Sequence, residues 1–373
     1  MSMCVFALIA SEFMPVSLLS PLAQDLRISE GMAGQGIAIS GAFAVLTSLF
    51  LASLTLGINR KTLLLGLTAA MGLSGVIIAL APNYLIYMLG RALIGIVVGG
   101  FWSLSAATAM RLVPAPQVPR ALAIFNGGNA LATVVAAPLG SYLGSIIGWR
   151  GAFFCLVPLA AVAMIWQWIA LPSLPTSNQP STSTNAFRLL RKPVVALGML
   201  GLGAFFMGQF TLFTYLRPFL ETVTQVDVST LSLTLLVIGF MGLIGTTLIG
   251  TALKRGLYRT LIAIPLLMAV IALALVALGS NTAIVVVLLG VWALIATAAP
   301  VGWWSWVPRT FPESAEVGGG LVVAVIQLSI ALGSTLGGVL FDAHGYQSTF
   351  VASALLLLIA AFTTFRTSRA AGY

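Results

Sequence analysis

The sequence is poor in charged residues. Of its 373 residues, only 7% are Asp, Glu, Lys or Arg, while 60% are hydrophobic, and the mean hydropathy is +1.09. A soluble domain carries about 25% charged residues, so this composition cannot cover a water-soluble surface. The surplus apolar surface must face lipid, which indicates an integral membrane protein.

Reactive side chains are also scarce, since the chain has two cysteines and one histidine. Cys4 and Cys155 lie within apolar runs, where we expect small core residues rather than a disulfide or a metal site. The single histidine, His344, cannot supply a histidine-based metal cluster. We therefore expect neither a metal nor another cofactor.

Motifs of catalysis and nucleotide binding are missing from the sequence. It contains no G-x-S-x-G, no H-E-x-x-H and no P-loop, so an enzyme or an ATP-driven pump is not supported. A channel would show a filter or a ring of charges, and neither is seen. The net charge of +9 does not indicate a nucleic-acid partner, because the basic residues are scattered between apolar blocks instead of forming one patch.

Long apolar blocks are abundant. They cover residues 3–22, 34–56, 62–82, 84–109, 121–146, 150–172, 193–216, 229–252, 259–279, 282–306, 317–340 and 348–367. Each is close to the ~20 residues that a membrane-spanning helix needs. The sequence therefore predicts an all-α protein with twelve transmembrane helices.

The connections predict the orientation and the division of the chain. Most Lys and Arg residues lie in alternate connections and in the C-terminal tail, which places both termini in the cytoplasm of a bacterial inner-membrane protein. A central stretch rich in Pro, Ser, Thr and Asn is typical of a linker. We therefore expect a six-helix bundle at 1–172, a cytoplasmic linker at 173–192 and a second six-helix bundle at 193–373.

The two halves resemble each other in sequence. LGSYLGSIIGWRGAF (139–153) and LGGVLFDAHGYQSTF (336–350) match at several offsets where the fifth and sixth spans of each half join. GGFWS (99–103) and VGWWS (301–305) match in the fourth span of each half. Such internal symmetry is typical of secondary transporters, whose binding site lies at the midplane between the repeats.

Two charged residues fall inside predicted spans. Glu12 lies about nine residues, or ~14 Å, into the first span, and Arg91 lies about seven residues, or ~11 Å, into the fourth. A charge at such depth costs several kcal/mol unless it is paired or hydrated, and it is usually functional. We therefore interpret Glu12 as the exchangeable proton site and Arg91 as a residue that adjusts its proton affinity or relays the coupling. The alternative is that Glu12 faces outer water and Arg91 only binds backbone carbonyls.

A polar and aromatic set provides candidates for substrate contact. It comprises Phe101, Trp102, Gln209, Thr211, Thr214, Tyr215, Trp303 and Trp304. Aromatic faces with a few amides and hydroxyls suit a flat, polar, neutral ligand such as a nucleoside. Tryptophan is also common at membrane interfaces, and this explains Trp303 and Trp304 equally well. Charged residues that flank the outer loops, among them Glu30 and Arg217, are expected to form solvated clusters.

The residues match a known family. The two-half plan with its linker resembles the major facilitator superfamily, and RALIGIVVGG, with Arg91, is similar to its fourth-span signature. The stretch from Gly128 through Pro138 and Gly140 to Ser141 resembles its fifth-span antiporter signature, with Ala137 where glycine is usual. GINRKTLLLG (57–66) keeps Arg60 and Lys61 of the gating loop, but Leu56 replaces its aspartate, which puts the family's gating charge pair in doubt.

Within this superfamily the chain is similar to the proton-linked drug and sugar exporters, and especially to those that export purine ribonucleosides. SEFMPVSLLSPLAQDLRISEG, APLGSYLGSIIGWR and GQFTLFTYLRP carry this resemblance in both halves. It implies export of inosine- or guanosine-like nucleosides in exchange for protons, and we expect a monomer. Pro138 frees a carbonyl and permits a kink, which makes it a candidate hinge, while ordinary helix packing is the alternative explanation for the small residues around it. A sugar (arabinose-like) or multidrug proton antiporter is the alternative, and a membrane enzyme or channel is the rival from another class.

Overall fold

The structure is a computed structural model that describes residues 1–54, 57–114, 117–173, 189–310 and 315–372. Every regular element in this part of the chain is an α-helix, which confirms the predicted all-α class. The predicted linker, residues 173–192, falls largely outside the described residues, as does Leu56.

The first half contains six spans. Their helices are Ser2–Ser17 with Leu19–Leu26 (first span), Glu30–Leu54 (second), Arg60–Ala79 (third), Tyr84–Arg111 (fourth), and Val118–Phe154 with Leu156–Ala170, which together form the fifth and sixth.

The second half repeats this arrangement. Its helices are Pro193–Phe213 with Leu216–Thr222 (seventh span), Val228–Arg255 (eighth), Leu257–Leu278 (ninth), Thr282–Ala296 with Ala299–Thr310 (tenth), and Ala315–Ala370, which forms the eleventh and twelfth.

The number of spans follows from the lengths of these helices. Nine described stretches are long and apolar enough to cross a membrane, and the bent first pair makes ten. Two of them, Gly127–Ala170 with 44 residues and Gly318–Ala370 with 53, are about twice as long as a ~30 Å hydrocarbon core requires. Each contains a glycine with φ 75°, Gly148 or Gly345, at which the helix breaks. The ten stretches therefore form twelve spans, as the sequence predicts.

Three spans are broken in a way that the apolar blocks do not predict. The first span bends by 68° at Leu18. The seventh is interrupted at Thr214 and Tyr215, and the tenth at residues 297–298. Each break lies within a few residues of a proline (Pro21, Pro218 or Pro300), which cannot donate the helical hydrogen bond. Hydropathy alone detects no such interruption, because the residues around it stay apolar.

Hydrogen bonds between described residues join the two halves near one side of the bundle. We call the side that carries both chain ends the terminus side and the opposite side the distal side. Ser29 and Gly31 of the second span bind Asp342 of the eleventh, while Ser232 of the eighth span donates to Ser141 of the fifth at 3.2 Å. These contacts lie where each span approaches the distal side. The structure is therefore closed on that side.

The outer surface of the bundle is apolar, as a lipid-facing surface must be. Leu80 and Ile169, for example, are 71% and 79% exposed. Cys155 also lies exposed on this surface, so its predicted place in the core is wrong, whereas Cys4 is buried as expected; both are free thiols. Cys155 follows the turn at Gly148, where the sixth span faces outward, and the apolar run around it does not distinguish lipid-facing from core positions.

Candidate functional site

The first span carries two backbone carbonyls that lack their helical donors. A proline has no N–H, so it leaves the carbonyl four residues before it without an intrahelical partner. Pro15 frees the carbonyl of Ser11, and Pro21 frees that of Ser17. Within a membrane such groups need another donor.

Arg91 supplies one of these donors. Its side chain is fully buried, and its Nη1 donates to the freed carbonyl oxygen of Ser11 at 2.8 Å. Nε donates to the carbonyl of Gly36 at 2.9 Å, and Nη2 to that of Glu12 at 3.3 Å. In return, Ser40 Oγ donates to the carbonyl of Arg91 at 2.8 Å. Arg91 therefore links the first, second and fourth spans through their backbones.

Arg217 of the second half supplies the donor for the other freed carbonyl. Its Nη1 donates to the freed carbonyl of Ser17, and its Nε donates to Glu221 Oε1 at 2.7 Å. The side chain is 7% exposed, so the expectation that it is solvated is wrong. The signal that could have found this contact is Pro21 in the first span, because a freed carbonyl there requires a donor.

The carboxyl group of Glu12 lies between the two halves. It is 6% exposed, and Gln327 Nε2 of the eleventh span donates to its Oε1 at 3.3 Å. The ion pairs found among the described residues are Arg150–Asp25 and Arg217–Glu221, so Glu12 and Arg91 do not form one there. Their connection runs through the Glu12 carbonyl instead. The role of Glu12 in proton coupling stays a prediction.

Aromatic rings from both halves meet beside this carboxyl group. Phe13, the neighbour of Glu12, stacks on Phe210 of the seventh span with ring centroids 5.9 Å apart and planes 26° apart. Gln209, the neighbour of Phe210, is half-buried, and its Oε1 has no hydrogen-bond donor among the described residues. Where the two halves meet, the described residues thus include a carboxyl group hydrogen-bonded to one amide and a pair of stacked rings.

The other polar candidates of the seventh span lie against the eleventh span. Thr211 Oγ1 donates to the carbonyl of Gly333 at 3.2 Å, and the Thr214 and Ser334 hydroxyls are 2.9 Å apart. Tyr215 Oη donates to the carbonyl of Ser334 at 2.8 Å. All three threonine and tyrosine side chains are buried. They hold two spans of the second half together, and their contact with a substrate stays a prediction.

The aromatic residues of the fourth and tenth spans follow the internal symmetry. Phe101 and Trp303 are both 2% exposed and lie in the cores of their respective halves. Their neighbours are more accessible, since Trp102 is half-buried and Trp304 is 45% exposed. In each pair it is the second aromatic residue that reaches the surface of its bundle.

The fifth span contacts both halves through small residues. A β-carbon at Gly128 would overlap the carbonyl oxygen of Ser2, and one at Gly140 would lie 2.8 Å from Ser17 Oγ. Pro138 frees the carbonyl of Val134. Gly239 of the eighth span packs on Val134 so closely that a β-carbon at position 239 would lie 2.8 Å from the Val134 carbonyl oxygen. The antiporter-like segment therefore packs directly on the first span and on the opposite half.

The gating-loop residues begin the third span. Asn59 caps this helix by accepting from the Lys61 N–H at 2.9 Å. Lys61 Nζ donates to the carbonyl of Trp168 in the sixth span at 2.7 Å, and Arg60 is half-buried. The structure thus ties Lys61 to its own half.

A cross-half cap closes the distal side. Asp342 of the eleventh span accepts from Ser29 Oγ at 2.6 Å and from the Gly31 N–H at 2.9 Å, at the first turn of the second span. Glu30 lies in the same turn and is half-buried, with Oε2 shielded from solvent. The expectation that Glu30 is solvated is therefore wrong, because the opposite half covers it.

Comparison with known proteins gives the family. A model of the Major Facilitator Superfamily matches residues 1–321. The transcription regulatory protein OpdE of Pseudomonas aeruginosa is 68% identical over 371 residues, which are 99% of this chain and 92% of that protein. The purine ribonucleoside efflux pump NepI of Salmonella typhimurium is 40% identical over 359 residues, 96% of this chain and 90% of that protein.

Solved structures show the same fold. A bacterial homologue of the human lysosomal transporter Spinster, in an inward-facing and unoccupied conformation, aligns with a TM-score of 0.76 at 16% identity, over 99% of this chain and 96% of that one. A D-xylose–proton symporter aligns with a TM-score of 0.78 at 16% identity, over 98% and 96%. The family model over residues 1–321 and the 40% identity to an efflux pump show that the chain belongs to the major facilitator superfamily and is a membrane transporter, not an enzyme.

Proposed function

We propose that this transporter exports purine ribonucleosides such as inosine and guanosine from the bacterial cytoplasm in exchange for protons. The observation that carries the proposal is the Glu12 carboxyl group, which is buried in the first half and hydrogen-bonded to Gln327 of the second. The terminus side then faces the cytoplasm. The protein acts as a monomer in the inner membrane and transports by alternating access.

The coupling step follows from the position of that group. An ionised side chain in the bilayer interior costs several kcal/mol unless it is paired or hydrated. The ion pairs among the described residues do not include the Glu12 carboxyl group, and Arg91 directs its N–H groups at three backbone carbonyls, so we expect this carboxyl group to carry a proton whenever it is closed off from water. Proton release then requires the halves to separate around Glu12, and this separation is the movement that exposes the substrate site.

The substrate class follows from the residues beside Glu12. The stacked Phe13 and Phe210 offer aromatic faces for a purine base, and the unpartnered amide oxygen of Gln209 can accept from a base or ribose group. Trp102 and Trp304 are further candidates for this contact. The name of the NepI relative, a purine ribonucleoside efflux pump, points to the same class.

Inverted membrane vesicles test the function. With the lumen acidified, vesicles that contain the transporter should accumulate radiolabelled inosine, and a protonophore should abolish the accumulation. Vesicles without the transporter are the control. Accumulation of arabinose or of a cationic dye, but not of inosine, would support the sugar or multidrug alternative and would refute the nucleoside assignment.

A second function is suggested by the name of the Pseudomonas relative, a transcription regulatory protein. The described part of the chain forms membrane spans, so a regulatory effect would act through transport: export lowers the cytoplasmic concentration of a compound that controls transcription. A transport-inactive variant with normal membrane levels should then lose the regulatory effect as well. Regulation that persists in such a variant would separate the two functions.

A further inference from the structure

We propose that a groove between the seventh and twelfth spans, at the terminus side, binds the head group of an anionic phospholipid. The groove has a volume of about 650 Å³. It is lined by Pro193, Leu197, Phe362, Phe365, Arg366, Arg369 and Ala370.

The groove changes character along the membrane normal. Leu197, Phe362 and Phe365 provide an apolar wall, and the two phenylalanines are 59% and 40% exposed. Arg366 and Arg369 lie at its mouth. At the rise of an α-helix, Arg369 is ~10 Å nearer the terminus side than Phe362. An apolar wall below a basic mouth matches a phospholipid, with an acyl chain along the phenylalanines and a phosphate at the arginines.

The arginine side chains are held in place by the same wall. The Arg366 guanidinium lies 5.9 Å from the centroid of Phe362, and that of Arg369 lies 4.8 Å from the centroid of Phe365. Stacking restricts a guanidinium while leaving its N–H edge free to bind phosphate oxygens in a bidentate manner. Both side chains are exposed, so a head group can approach them.

The surroundings of the groove reinforce its positive charge. A neighbouring cavity of about 390 Å³ is lined by Lys192 and Arg309, together with the phenol-bearing Tyr258. The carboxylates whose side chains the structure describes lie midway across the bundle or on the distal side; they are Glu12, Asp25, Glu30, Glu221, Asp227 and Asp342. The sequence also has Glu313 and Glu316 between the tenth and eleventh spans, but the basic residues on the terminus side of the second half outnumber them; the basic residues include Lys192, Lys254, Arg255, Arg309, Arg366 and Arg369. This excess of positive charge favours an anionic over a zwitterionic lipid.

Native mass spectrometry of the purified full chain tests this site. The protein is titrated with phosphatidylglycerol or with phosphatidylcholine of the same acyl chains. We expect one phosphatidylglycerol to bind in preference to phosphatidylcholine. The double variant Arg366→Gln/Arg369→Gln should bind phosphatidylglycerol about 30-fold more weakly than the wild type. Each of the two arginines should account for about the same share of this loss in affinity, as basic residues near an anionic lipid surface do.

The matched control is Lys254→Gln/Arg255→Gln. It removes two exposed basic residues at the terminus end of the eighth span that do not line the groove, and should change the affinity by less than about threefold. Equal binding of the two lipids, or equal weakening in both double variants, would overturn the proposal. A third arm uses inorganic phosphate alone; if it binds as tightly as phosphatidylglycerol, the site recognises free phosphate and the lipid assignment is wrong. Equal thermal unfolding of all variants in phosphatidylcholine verifies that they are folded.

Discussion

Arg91 shows how the buried charge of this transporter is accommodated. Its guanidinium donates a hydrogen bond to the Ser11 carbonyl, which Pro15 leaves without a helical donor, and donates to two more carbonyls nearby. The sequence could predict that Glu12 and Arg91 are buried, because few charges interrupt the apolar blocks. It leaves open whether the guanidinium acts on the Glu12 carboxyl group or only binds backbone carbonyls, and the structure shows the carbonyl contacts. Side-chain direction depends on how the spans pack, and only the proline at position 15 hints at a carbonyl that needs a donor.

A double-mutant cycle tests this interpretation. Arg91→Met leaves the Ser11 carbonyl without a donor, whereas Pro15→Ala restores the helical N–H that this carbonyl lacks. We expect Arg91→Met to cost about 1–3 kcal/mol less in the Pro15→Ala background than in the wild type. The free energy of unfolding in mixed detergent micelles measures both costs.

The control replaces Pro138 instead, since Pro138→Ala restores a helical bond on the fifth span, away from Arg91. The cost of Arg91→Met should be unchanged in that background. A coupling of less than about 0.5 kcal/mol between Arg91 and Pro15 would show that the guanidinium does not substitute for the missing N–H.

At the scale of helices, the sequence predicts the number of spans well and their interruptions poorly. The apolar blocks locate all twelve spans because lipid imposes a minimum length. The internal repeat also predicts the turn after the fifth and eleventh spans: Gly148 and Gly345 occupy the same offset in the two repeats and share a φ of 75°. The bends in the first, seventh and tenth spans depend on prolines, whose effect hydropathy does not register.

Alanine substitutions test the role of the turn glycines. At a positive φ a β-carbon clashes with the backbone, so Gly148→Ala or Gly345→Ala should lower the free energy of unfolding by about 1–2 kcal/mol. Gly66 is the matched control, because it lies within the helix of the third span with open space around it. Gly66→Ala should stabilise the protein by up to about 1 kcal/mol. Equal effects at the three positions would contradict the assignment of the turns.

For the whole molecule, the decisive feature is the contact between the halves. The second and eleventh spans meet at the cross-half cap of Asp342, and the fifth and eighth spans meet at Gly239 and Val134. Sequence symmetry predicts that two bundles exist, but it contains no information about which side is closed. That depends on contacts between residues some 310 positions apart, such as Ser29 and Asp342.

Removal of this cap should open the distal side. Asp342→Ala deletes two hydrogen bonds between the halves, and their loss should destabilise the closed state by about 1–3 kcal/mol. The distal-open population should therefore rise about fivefold to 150-fold. Spin labels on Gln24→Cys and His344→Cys, in a Cys155→Ser background, measure the distance between the halves. We expect a larger fraction of long distances in the variant.

Asp25→Ala provides the comparison for that experiment. Asp25 also lies on the distal side, but it pairs with Arg150 of its own half. Its loss should therefore leave the distance distribution unchanged. A shift of the same size in both variants would mean that the distal side responds to general destabilisation and not to the cap.

The most direct measurement compares two modes of transport in the Glu12→Gln variant: accumulation driven by an imposed pH gradient, and exchange of labelled for unlabelled substrate without a gradient. We expect Glu12→Gln to lose the first and keep the second, because a glutamine still accepts from Gln327 but cannot release a proton. Asp227→Asn, which neutralises an exposed carboxylate that caps the eighth span, should keep both. Gradient-driven accumulation of substrate by Glu12→Gln at the wild-type level would show that this carboxyl group does not carry the exchanged proton.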